Sequence, residues 1–129
     1  MKILVIEDDA EIIEYISMAF DTGWPVIEMI STHQGKEGIK FVKTQQPDAV
    51  LLDVGLPDIS GFDVLKRIRA FSEVPVIIES VRGSEHDVVK GLSLGADEYI
   101  VKPFGQLELV AKVKAVCRSF AGTDGDGFK

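Results

Sequence analysis

Five polar side chains stand where apolar runs of this sequence stop. Glu7 and Asp8 follow "KILVI", Asp53 ends "AVLLD", Ser80 ends "PVIIES" and Lys102 follows "EYIV". An ionised carboxylate at the rim of an apolar core is costly unless something compensates it. Three carboxylates brought together also repel one another and raise their own pKa values unless a cation joins them. A hard divalent ion meets that need. Mg2+ takes oxygen ligands, keeps part of its water, and is typically bound by one or two carboxylates plus phosphate oxygens. No His or Cys stands at matching positions, which disfavours zinc and softer metals. The plainer alternative is that Glu7, Asp8 and Asp9 are solvated acids leading into a helix, and Asp9 reads as the N-cap of that helix.

For the five side chains to meet, the strand ends that carry them must share one rim. Short Ile- and Val-rich runs alternate with segments of helical period, the pattern of repeated βα units around a parallel sheet. Strands are expected at 2–7, 26–31, 49–53, 75–80 and 98–101, and helices at 10–21, 35–44, 61–71, 84–94 and 105–120. The first, third and fourth strands are almost wholly apolar, as central strands buried on both faces must be. Ile12, Tyr15, Ile16 and Ala19 make one helix face, and Leu109, Val113, Val116 and Phe120 another. Pro47 and Pro75 precede strands, and Gly95 follows the fourth helix as a C′ residue. In an open parallel sheet, ligands bind at the carboxyl ends of the strands, where the strand order reverses. That rule brings Glu7, Asp8, Asp53, Ser80 and Lys102 to one place.

The 129 residues fit one domain, here 1–120, and "AGTDGDGFK" at 121–129 reads as a flexible tail or the start of a linker. Fourteen Lys plus Arg against twenty-one Asp plus Glu give a formal net charge of -7. That charge repels phosphate backbones and anionic lipid, so no direct nucleic-acid or membrane binding by this domain is expected. Cys117 is the single cysteine, which rules out an intramolecular disulfide; in a helical pattern it reads as a small buried hydrophobe. The N-terminus lacks the pattern of a signal peptide, and no apolar stretch approaches the ~18 residues of a membrane helix, so a cytoplasmic protein is expected. His33 and His86 read as surface residues, and Trp24 as packing.

Several of these stretches together resemble the receiver domain of two-component response regulators. The resemblance rests on "VIEDD", "DAVLLDVGLPDISGFDVLKRIR", the strand-end hydroxyl of "PVIIES" and "GADEYIVKPF", in that order, and covers residues 2 to about 119. It implies a flavodoxin-like α/β sandwich with a five-stranded parallel sheet in the order 2-1-3-4-5. It implies that Asp53 is the phosphoacceptor, and that Glu7, Asp8, Asp53 and the backbone carbonyl of Gly55 bind Mg2+. It further implies that Ser80 and Tyr99 are the switch hydroxyl and aromatic, that Lys102 is the lysine of the family pattern, and that the Lys102–Pro103 peptide is cis. The partner implied is a sensor histidine kinase or phosphotransfer protein. The chain would be no enzyme beyond its own Mg2+-dependent phosphorylation and dephosphorylation, and phosphorylation would draw Ser80 inward and let Tyr99 fill the vacated space.

Some positions depart from the family pattern. Val81 stands where a small residue is usual and narrows the way in for phosphodonors. Gly55 and Arg82 occupy positions that modulate access of water; Gly55 shields nothing, while Arg82 either reaches over the phosphoryl group or points into solvent. Glu79 is a carboxylate inside an apolar strand, and with Ser80 aimed at the site, two-residue alternation turns Glu79 to the other side. The acids in "ADE" before Tyr99, with Lys112 and Lys114, resemble the subgroup that dimerises through the face of the fourth helix, fifth strand and fifth helix and carries a winged-helix DNA-binding effector. Val88 and Ser119 depart from that subgroup's charges. The competing reading is a pseudo-receiver, an interaction module that keeps the fold without using Asp53. A phosphatase-type enzyme with an aspartate nucleophile would want a second acid two residues on, where Gly55 stands. A flavin-binding protein would want a hydroxyl-rich loop after the first strand.

Overall fold

A computed structural model of the chain describes residues 1–123, with side chains through Ser119. Ten elements alternate strictly: β1 (Lys2–Ile6), α1 (Ala10–Gly23), β2 (Glu28–Thr32), α2 (Gly35–Gln45), β3 (Ala49–Asp53), α3 (Gly61–Arg69), β4 (Val76–Ser80), α4 (Glu85–Ser93), β5 (Glu98–Val101) and α5 (Gln106–Thr123). All strand pairs are parallel and the sheet order is β2-β1-β3-β4-β5, as the alternation and the resemblance imply. Strands β3 and β5 fall on their expected bounds. Strand β2 starts two residues later than expected, because a turn in which the Ile27 N–H donates to the Trp24 carbonyl at 3.1 Å holds the chain there and leaves Val26 exposed. Helix α5 continues to Thr123, past the boundary expected at residue 120. The rest of the expected tail, 124–129, lies outside the described residues, as does the side chain of Phe120.

The sheet divides the interior in two. Side chains at Ile3, Val5, Ala49, Leu51, Ile77 and Ile100 meet Ile16, Ala19 and Phe20 of α1 and Leu109, Val110 and Val113 of α5. Their alternates Leu4, Ile6, Val50, Leu52, Val76, Ile78 and Tyr99 meet Val42 of α2 and Phe62, Val64, Leu65 and Ile68 of α3. Burial of such branched apolar side chains at about 25 cal/mol per Å2 drives the fold. Cys117 is buried in the first of these layers, and its thiol is pushed up to about 11 by that burial. Trp24 packs against the same layer, while His33 and His86 are exposed.

Side-chain caps fix where the helices begin, and with them the loops above the strand ends. Asp9 accepts from the Glu11 N–H at 2.9 Å, as expected, Ser60 accepts from the Phe62 N–H at 3.2 Å, and Ser84 exchanges hydrogen bonds with Asp87. Gln34 at the start of α2 provides no such cap. Instead Asp58, from the β3–α3 loop, accepts from the Gly35 and Lys36 N–H groups at 2.8 and 2.9 Å, tying that loop to α2. Gly95 follows α4 with φ 110, as its C′ role requires. Among the described residues no helix is long and apolar enough to cross a membrane.

Candidate functional site

Two-residue alternation decides which side chains meet at the strand ends. Ile3 and Val5 continue to Glu7, Ala49 and Leu51 to Asp53, Ile77 to Glu79, and Ile100 to Lys102. All four polar residues therefore crown the α1/α5 layer. Lys102 Nζ lies 2.8 Å from Glu7 Oε1, 3.3 Å from Glu79 Oε1 and 3.5 Å from Asp53 Oδ1. The site is nearly closed: Glu79 is 0% exposed, Glu7 1% and Asp53 7%. Asp8 is exposed beside it, and Gly55 is exposed just past β3.

The position of Glu79 corrects the expectation that alternation turns it away. Asp53 pairs with Glu79 in the β3–β4 ladder, and register partners of a parallel pair share a face. Ser80 is the residue on the opposite face. Its Oγ accepts from the Arg82 N–H at 3.0 Å, and its carbonyl accepts from the Lys102 N–H at 2.8 Å.

Charge at the rim follows from this packing. Burial pushes Glu7 upward, yet the neighbouring Glu79 carboxyl, the Lys102 ammonium and a hydrogen bond from the Asp9 N–H at 2.9 Å hold it below the usual carboxylate range. Burial and the neighbouring Glu7 push Glu79 up to about 10. Asp53 is raised by burial and by the charge of Glu7. Against its own burial, Lys102 is held above the usual ammonium range by Glu79, Glu7 and Asp53.

The donors fit a hard divalent ion in part. Asp53 carries a carboxylate that burial and Glu7 disfavour in its charged form, which an added cation would relieve. Asp8 is exposed next to Glu7, and exposed Gly55 lies close to Asp53, a Cβ there standing 3.9 Å from Asp53 Oδ2. Both Glu7 oxygens are engaged, one by Lys102 and one by the Asp9 N–H. Among the described residues no three His, Cys, Asp or Glu side chains form a ready-made cage.

Around this centre, Gly61 allows α3 to start against Asp53: a Cβ there would stand 2.2 Å from the Asp53 carbonyl oxygen. The Lys102–Pro103 peptide is cis, as the resemblance implies. A cleft of about 620 Å3 opens beside Lys102, walled by Glu11, Ile12, Tyr15, Val81 and Phe104. The Tyr15 hydroxyl donates to the Phe104 carbonyl at 2.8 Å and fixes one wall. Val81, 75% exposed, forms another. Arg82 is exposed.

The Tyr99 ring is already inside, 5% exposed, and its hydroxyl donates to the Arg82 carbonyl at 2.5 Å. Gly91 makes the room: a Cβ there would come within 3.1 Å of the ring and 2.8 Å of Ile78. On the α4-β5-α5 face, two charges noted in the sequence are used within the chain. Asp97 accepts from Arg69 at 3.1 Å and from the Val76 N–H at 2.8 Å, and Lys114 donates to the Gly23 carbonyl at 3.2 Å and covers the Trp24 ring. Lys112 lies 3.9 Å from Glu108, one turn away.

The family profile for the response regulator receiver domain matches residues 3–114. The uncharacterized transcriptional regulatory protein YclJ of Bacillus subtilis (strain 168) is 37% identical over 123 residues, covering 95% of this chain and 53% of that protein. The regulatory protein VanRc of Enterococcus gallinarum is 36% identical over 119 residues, covering 92% of this chain and 51% of that protein. This chain thus spans about half the length of the curated relatives it matches. Among solved structures, the receiver domain of the Francisella response regulator 1452 superposes with a TM-score of 0.86 at 31% identity, covering 92% of this chain and 98% of that one.

Proposed function

Because the chain belongs to the response regulator receiver domain family, we propose that it is a phosphorylation-dependent switch in which Asp53 accepts a phosphoryl group from a histidine kinase or phosphotransfer protein. The observation that carries this reading is the placement of Asp53 Oδ1, at the end of a central strand and 3.5 Å from Lys102 Nζ. A carboxylate there has a cation beside it, and a cleft opens on the other side of that cation.

Asp53 attacks the phosphorus of a phosphohistidine in line; the new O–P bond forms as the N–P bond breaks, and the imidazole leaves as a histidine of the donor. Lys102 stabilises the charge that develops on the transferring oxygens, a task that suits a compact ammonium on a flexible stem. Asp8, Asp53 and the Gly55 carbonyl would hold Mg2+, with Glu7 behind them steering Lys102. When bound, Mg2+ supplies charge neutralisation on the phosphoryl oxygens. Attack by water on phosphorus then releases inorganic phosphate and restores the Asp53 carboxylate. Gly55 leaves that water unhindered, and exposed Arg82 is the side chain we assign to modulate it.

Ser80 is the group that senses the phosphoryl oxygens. Its Oγ, now accepting from the Arg82 N–H, is free to donate to a phosphoryl oxygen through a charge-assisted bond. Arg82 also holds the Tyr99 hydroxyl through its carbonyl, so a shift of Ser80 reaches Tyr99 through one residue. The signal then passes to α4, β5 and α5, the face through which a homodimer would form. Control of transcription through a winged-helix effector is the output we assign, on the strength of the regulatory relatives.

The test is the response of Tyr and Trp fluorescence to beryllofluoride in the presence of Mg2+. A saturable, Mg2+-dependent change that disappears in Asp53→Ala supports the switch. No response in the native protein, or an equal response in the variant, overturns it in favour of a pseudo-receiver that acts only as an interaction module.

A further inference from the structure

Glu79 has no part in the chemistry assigned above, yet it sits at its centre. It is 0% exposed, stands beside Asp53 in the β3–β4 register, and neither of its oxygens makes a hydrogen bond of good geometry. A carboxyl so placed is a cost to the fold unless a cation or donor faces it. What faces it is Lys102, 3.3 Å away, the same ammonium that the phosphoryl group needs. The shorter contacts of that ammonium are to the two glutamates, at 2.8 and 3.3 Å, and its contact with the acceptor is the longest, at 3.5 Å. Lysine is a flexible chain with three donors and no fixed direction. Left to itself it has no reason to stay poised over Asp53.

We propose that Glu79 is a positioning residue: with Glu7 it brackets the Lys102 ammonium from the β4 side and keeps it poised over Asp53, ready for the incoming phosphoryl oxygens. The proposal rests on the reading of Asp53 as phosphoacceptor and adds a residue to that site. Glu79 acts through the shape and hydrogen-bonding capacity of its head, which presents Oε1 to Lys102. A glutamine fills the same space and offers an acceptor and a donor there. A leucine fills the space and offers neither.

The experiment compares Glu79→Gln and Glu79→Leu in Mg2+-dependent labelling of Asp53 by acetyl phosphate, alongside urea denaturation. The expected result is Glu79→Gln within about twofold of the native rate and Glu79→Leu slower by about tenfold or more, up to the ~100-fold that a displaced catalytic group can cost. Glu79→Leu should be no less stable than the native protein, since an apolar residue replaces a buried acid. A merely structural role would instead make rate and stability fall together. In a Lys102→Ala background the two substitutions should make no difference to the residual rate. Equal labelling by Glu79→Leu, an equally impaired Glu79→Gln, or a loss that persists without Lys102 overturns the proposal. A readout free of phosphorylation separates this from failure of the switch itself. In the metal-free protein, the Lys102 ammonium resonance, assigned by its loss in Lys102→Ala, should be protected from exchange in the native and Glu79→Gln proteins and lost in Glu79→Leu. An unchanged resonance in Glu79→Leu overturns the proposal even if Asp53 proves never to be phosphorylated.

Discussion

Asp53 and Glu79 are direct neighbours across the β3–β4 ladder, so two carboxyl groups enter the same buried layer side by side. Burial and Glu7 hold the Glu79 proton on to about pH 10, against 4.5 for an ordinary glutamate. The unfolded chain releases that proton above pH 4.5 and the native protein keeps it, so the unfolded state binds fewer protons through the window between. Native stability contributed at this site is complete below pH 4.5 and is lost as pH rises toward 10. The native protein should therefore lose stability relative to Glu79→Gln between pH 5 and 9, by up to about 1.4 kcal/mol per pH unit for one proton. Urea denaturation of both proteins at pH 5, 7 and 9 measures this. Parallel pH profiles would show that Glu79 is charged in the fold.

Val81 stands at the mouth of the cleft beside Lys102. Shortening it to alanine removes two methyl groups from the path of a small donor and touches no packed core, since the side chain is largely exposed. Val81→Ala should label faster with acetyl phosphate, with stability changed by less than about 0.5 kcal/mol. Labelling time courses of the two proteins decide it, and coincident curves count against any gating by Val81.

Gly91 is the gap in α4 that accommodates the Tyr99 ring. Adding a methyl group there forces the ring or Ile78 to move, so Gly91→Ala should expel Tyr99 and break its hydrogen bond to Arg82. Overpacking of this kind costs about 1–3 kcal/mol, partly offset by the better helix propensity of alanine. Tyrosine fluorescence and quenching by iodide report the exposure of the ring. Unchanged quenching would mean that the layer below α4 yields elsewhere.

Asp58 caps a helix to which it does not belong. Asp58→Ala leaves the Gly35 and Lys36 N–H groups without their acceptor and releases the loop that carries Gly55. A lost cap costs about 1 kcal/mol. Because the loop also bears the proposed metal carbonyl, Mg2+ affinity measured by fluorescence titration should fall together with stability. A loss of stability with unchanged Mg2+ affinity would confine the role of Asp58 to α2.

Much of this was legible from local pattern. The runs "AVLLD" and "EYIV" mark their strands to the residue, since an apolar run ending on a charge has one place to stop. Asp9 as a cap and Gly95 as a C′ residue are equally local. The face taken by Glu79 was not legible, because it depends on how β3 and β4 register, and a single residue of slip reverses every side chain. The same holds for Asp58, whose partners lie 22 and 23 residues away in sequence, and for the inward Tyr99 of β5, which depends on a glycine of α4. The signal for Glu79 was present, an acid in an apolar strand, but its direction belonged to the pair of strands.

The two-layered interior has a consequence for how such a switch divides its labour. Asp53, Glu79 and Lys102 rest on the α1/α5 layer, whereas Tyr99 rests on the layer beneath α3 and α4. On the proposed reading of Asp53 as phosphoacceptor and Tyr99 as switch aromatic, the sheet is a bulkhead between two compartments, one for the reaction and the other for the readout, which would communicate over its upper edge, at Ser80 and Arg82. Evolution or an engineer can thus retune the speed of the reaction from one compartment and the amplitude of the readout from the other, with that short parapet as the place where the two settings meet.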